Sequence, residues 1–111
     1  MGEVVVLITA ASDEEAQNIG RLLVEAGLAA CVNLIPSVRS IFRWEGKVTE
    51  ERETLLIVKT VAESFNSLEA MVKAHHSYSV PEIIALPIQT GSEPYLAWVR
   101  EMARPLKGSS H

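Results

Sequence analysis

Between Leu28 and Thr60 the chain reads "LAACVNLIPSVRSIFRWEGKVTEERETLLIVKT", a stretch rich in β-branched and aromatic residues. Its only tight-turn signal is Glu45-Gly46, with a strand-like run on either side, so the segment is expected to form one long antiparallel hairpin. Each arm is well over twice the usual strand length of about five or six residues, and the tip must project past any small sheet. Pro36 cannot donate to a ladder and marks a bulge or break in the first arm. Beyond it, Val38, Phe42 and Trp44 share one parity, whereas Ile41 falls with Arg39 and Arg43 on the other. Both faces of the ribbon therefore call for a partner. An uncovered ribbon bearing aromatics is a template for aggregation, and closed symmetric assembly removes that exposure. The competing reading is a solvated hairpin kept soluble by Arg39, Arg43 and the charged run Glu50 to Glu53.

The flanking segments supply the rest of a fold. "VVVLIT", from Val4 to Thr9, is a continuous apolar run, as in a strand covered on both faces. Ser12 and Glu15 make a capping box; Ala16, Ile19, Leu22, Leu23 and Ala26 then share a helical face that Gly27 ends. Thr60 and Glu63 suggest a second capping box, followed by Phe65, Leu68, Val72 and His75 at helical spacing before Pro81. "EIIALPI" is a further strand, and Ser92 with Pro94 opens a last helix with Tyr95, Trp98, Val99 and Met102 on one face and Pro105 at its close. The order strand, helix, strand, turn, strand, helix, strand, helix is two split βαβ units joined by a hairpin. It predicts an α+β chain, a ferredoxin-like plait whose four-stranded antiparallel sheet has its helices on one face.

With 111 residues the chain suits one domain, expected over residues 1–107; Gly108 to His111 read as a tag remnant. A net charge of -4 with no dense Lys/Arg cluster argues against nucleic acid as a main partner. Val4 to Ile8 follows Glu3 and is too short for a signal peptide or a membrane span, so no membrane association and a cytoplasmic address are expected. The single cysteine, Cys31, sits between apolar neighbours and reads as a buried, inert thiol in a reducing compartment.

"AACVNLIPSVRSIFRWEGKV", "LLIVKT" and "HHSYSVPEIIALPI" together resemble the CutA family of divalent-cation tolerance proteins, over nearly the whole chain. The resemblance implies a ferredoxin-like protomer in a PII-like homotrimer, with extended strands pairing between subunits. It also implies tolerance of copper and other divalent ions, and in some members binding of such ions. The paired histidines to which copper binding is attributed in bacterial relatives are matched by His75 and His76, but a first-strand cysteine of that set is Ile8 here. Trp44, Lys59, Tyr78 and Glu82 match positions that line a cleft between subunits, a mixture suited to a small polar ligand.

Imidazole is a good ligand for Cu2+ and other divalent cations. Neighbours on a regular helix point about 100° apart, however, so His75 and His76 share an ion only where the helix unwinds or subunits meet. His75 also lies on the apolar stripe of its helix, which gives it a purely structural reading. Lys59 with Glu82 can be an ion pair, and Trp44 with Tyr78 an interface seal. No nucleophile with an adjacent base and no phosphate loop is present, so no enzymatic activity is expected. Three functions remain open: a metal-tolerance trimer with weak divalent-ion binding, a signalling module holding a small anion between subunits, and an architectural trimer presenting surfaces to other proteins.

Overall fold

The computed structural model describes residues 2–104; the expected tag remnant and the helix-closing Pro105 lie outside them. Four strands, β1 (Glu3–Ala10), β2 (Cys31–Trp44), β3 (Lys47–Val61) and β4 (Ile83–Pro87), and three helices, α1 (Asp13–Glu25), α2 (Phe65–His75) and α3 (Glu93–Met102), follow in the order β1-α1-β2-β3-α2-β4-α3. The sheet order is β2-β3-β1-β4, and every pairing is antiparallel. Each βαβ unit therefore straddles a strand of the other, as the element order predicts.

The ribbon forms where the sequence places it. Glu45 and Gly46 both take positive φ, 50° and 78°, the two-residue turn whose twist matches that of its arms. Trp44 pairs with Lys47, and the ladder runs back to Cys31 opposite Lys59. A register shift between Ile35 and Val38 sets Pro36 and Ser37 opposite one residue of β3, with Ser37 at φ 62°. This bulge has a large consequence, because one extra residue reverses the parity of everything beyond it. Ile35 pairs with Leu55, while Val38, Phe42 and Trp44 pair with Glu53, Thr49 and Lys47, all odd-numbered positions of β3. Ile35 and the three later apolar side chains thus share one face, which strict alternation would have split.

The even-numbered positions of β1, and those of β3 from Thr54 onward, are buried. Val6, Ile8, Leu56 and Val58 pack with Ala16, Ile19 and Leu23 of α1 and with Leu68 and Val72 of α2. Ser12 caps α1 by accepting from the Glu15 backbone N–H at 3.1 Å, and Gly27, at φ 74°, ends it. Half of the expected capping box is made; the Glu15 carboxylate turns instead to Ser77, accepting from its backbone N–H at 2.6 Å and its hydroxyl at 2.9 Å. The second expected box is absent. The buried Thr60 hydroxyl donates to the Leu28 carbonyl at 2.7 Å, and a 3-10 turn, Ala62–Ser64, leads into α2 without a side-chain cap. A buried hydroxyl near the strand end finds a stronger claim in a tertiary acceptor than in a local one.

Two further expectations are corrected. β1 is covered fully on one face only, its burial alternating until Ile8. The helices are not all on that face: α3 sets Val99 against Ala30, Ala103 and Val61, and Val61 has the parity of Ile57 and Lys59. Arg100 of α3 reaches Glu3 at 2.8 Å on the same side, which holds the Glu3 carboxyl below its usual range. The helix covers only one end of this second face. The remainder runs open from Ile84 and Leu86, about half exposed, through Leu7 and Ile57 to Ile35, Phe42 and Trp44. The radius of gyration is 14.5 Å with a long axis of 43 Å, against roughly 13 Å for a compact chain of this length.

Candidate functional site

The two histidines stand at the end of α2, and the backbone there separates them. His75 is the last helical residue, whereas His76 turns extended, at φ -97° and ψ 142°. Contrary to the stripe reading, His75 is exposed and His76 is the one whose side chain is fully buried. The stripe ends at Val72 because the helix ends before its next inward position.

Hydrogen-bond partners fix the two rings. A carbonyl can only accept, so His75 donates through Nδ1 to Met71 O at 3.0 Å, leaving its Nε2 lone pair exposed to solvent. His76 donates through Nε2 to Thr9 O at 2.8 Å, and its Nδ1 accepts from the Tyr78 backbone N–H at 3.0 Å. Both nitrogens of His76 are thus committed, and the Glu15 carboxylate stands 3.6 Å from its Nδ1. Replacing His76 by alanine strands the Thr9 carbonyl and the Tyr78 N–H and is expected to cost about 2–3 kcal/mol, against about 0.5 kcal/mol or less for His75→Ala. Urea denaturation of the two variants measures the difference.

Tyr78 follows on the loop after α2. Its hydroxyl donates to Glu53 Oε2 at 2.8 Å, and its ring lies 4.9 Å from that of His76. Burial, the bond to Glu53 and the further charges of Glu51 and Glu15 push the phenol up to about 12. Glu53, only 8% exposed, is a participant that sequence reasoning missed. A glutamate in a charged run reads as solvated; only the phenol 25 residues further along the chain reveals it as buried.

The other expected ligand positions are strung along β3. Lys59 pairs with Cys31 and donates to the Asn33 side chain, whose Oδ1 also takes the Cys31 thiol at 3.7 Å. Cys31 is therefore half-buried on the open face rather than enclosed, and the Tyr95 phenol is raised by burial and by this thiol. Lys59, Glu53 with Tyr78, and Lys47 beside Trp44 are spaced six residues apart along β3, about 20 Å each. One protomer therefore cannot gather Trp44, Lys59 and Tyr78 around one ligand. Glu82 is exposed and makes no ion pair among the described residues, Lys59 included. A cavity of about 360 Å³ lies elsewhere, bordered by Glu3, Val61, Ser64, Arg100 and Arg104. Among the described residues no three His, Cys, Asp or Glu side chains converge as a metal site, and no helix is long and apolar enough to cross a membrane.

A sequence model of the CutA1 divalent ion tolerance protein family matches residues 4–102. The divalent-cation tolerance protein CutA of Thermus thermophilus is 54% identical over 99 residues, 89% of this chain and 96% of that protein. The human protein CutA is 42% identical over 92% of this chain, which spans 57% of the human sequence. A solved structure from Archaeoglobus fulgidus, described as a periplasmic divalent cation tolerance protein CutA, superposes with a TM-score of 0.89 at 44% identity, covering 92% of this chain and 99% of that one.

Proposed function

The chain belongs to the CutA1 divalent ion tolerance family, and from that premise we propose that it serves divalent-cation tolerance as a non-catalytic homotrimer with a weak, exposed site for ions such as Cu2+. The observation that carries the assembly is the open sheet face, continuous from Leu86 to the ribbon, where Trp44 is 61% exposed in a single copy. A chain that leaves so much apolar surface bare associates, and a ring closes without leaving a bare face.

The metal reading narrows from two histidines to one. His76 offers no lone pair without giving up a buried hydrogen bond, whereas His75 presents Nε2 to solvent. A single imidazole is a poor site on its own, and Ile8 supplies no thiolate, so weak binding is expected. Calorimetry with copper(II) on protein lacking residues 108–111 tests this. His75→Ala is expected to abolish the heat and His76→Gln to keep it; heat that survives His75→Ala contradicts the assignment.

A second reading is favoured by one feature: Lys59, a cation held by the Asn33 side chain at the opposite end of the open face from the ribbon tip. It suits a small anionic ligand enclosed between subunits, in the manner of a signalling module. The proposed location is cytoplasmic, where a lone half-buried thiol stays reduced.

A further inference from the structure

The two faces of the ribbon carry unlike charge. Even positions of β3 and their partners place Arg39 directly opposite Arg52, with Arg43 opposite Val48 and Glu50 between them. That face holds three guanidiniums against one carboxylate, and its only ion pair among the described residues is Arg39 with Glu50 at 2.7 Å. Two arginines directly opposite each other repel in an isolated ribbon. The reverse face carries Glu51 and Glu53 against Lys47. Glu53 is buried with a neutral phenol as its donor, and no cation pairs with it among the described residues. Charge buried without a counter-charge is costly. Each face thus lacks what the other holds.

We propose that the arginine face of one ribbon docks on the carboxylate face of the next copy, with Arg43 and Arg52 supplying the counter-charges to Glu51 and Glu53. This rests on the trimeric reading above and says which surfaces join. A two-fold arrangement through either face would press like charge on like, whereas head-to-tail contact satisfies both faces at every junction. The charges fix the order and direction of packing, while the apolar residues of the open face supply the area.

Charge reversal tests the pairing. The exposed positions allow Arg43→Glu with Arg52→Glu in one variant, Glu51→Arg in a second, and all three changes in a third; circular dichroism verifies that each is folded. Sedimentation across a dilution series is expected to show half-dissociation at a concentration about tenfold higher or more for each of the first two, and a return toward the parent by about threefold or more for the third, in which only Glu53 still faces a reversed charge. If the parent assembles and the reversed variants dissociate at the same concentration as the parent, or the combined variant is weaker than either, this pairing is wrong and the trimer stands. If the parent itself is a monomer, the trimeric reading falls first.

Discussion

Trp44→Ala is expected to dissociate the assembly while leaving the protomer folded. The side chain stands beside the ribbon turn, 61% exposed in one copy, and the protomer core of Val6, Ile8, Leu56 and Leu68 does not touch it. Its removal therefore costs the isolated chain little. Once a neighbouring subunit covers it, the loss is that of a large aromatic from a packed site, about 3–5 kcal/mol. A ring of three pays that cost at every junction, and a change of 1.4 kcal/mol is already about tenfold in an equilibrium constant. Light scattering of dilute protein should show the variant at one third of the parent mass, with unchanged far-ultraviolet circular dichroism. An unchanged mass would remove Trp44 from the interface.

The second large effect is expected at Ser37, in the bulge of β2. Its φ of 62° is open to glycine and tolerable for serine, but strained for a β-branched residue. Ser37→Val should therefore destabilise the bulge by about 1–3 kcal/mol. The harm exceeds that figure, because a regular ladder would place Arg39, Ile41 and Arg43 on the open face and carry Val38, Phe42 and Trp44 away from it. The valine variant is expected to lose assembly and to precipitate on concentration. Ser37→Gly, which accepts the same φ, should keep the parent mass and melt at or slightly above the parent temperature. Thermal melts and sedimentation of the pair are decisive: equal behaviour of the two variants would mean that the bulge does not set the faces.

The bulge also shows where sequence reading succeeds and where it stops. Pro36 announces an irregularity because a missing donor is a local property, and Glu45-Gly46 announces the turn for the same reason. Element order, ribbon length and the α1 stop are legible on such local grounds. What the irregularity does to parity is not local, and the scattered apolar pattern from Val38 to Trp44 becomes orderly only against the β3 register. Thr60 fails as a cap because Leu28 brings it a carbonyl from a distant segment. The histidines exchange roles because the helix ends between them, and an end position is the least predictable feature of a helix. Glu53 is hidden for a similar reason: its partner, Tyr78, is 25 residues away in the chain. The placement of α3 on the second face depends on Val99 meeting Val61 and Ala30, a choice that an amphipathic stripe cannot make between two sheet faces.

Sedimentation equilibrium of the unmodified protein at micromolar concentration bears on all of this at once. A single species of three times the protomer mass is the expected result, since the proposed trimer covers the open face from Leu86 to Trp44 with further copies. A monodisperse, fully folded particle of one protomer mass at that dilution would contradict it.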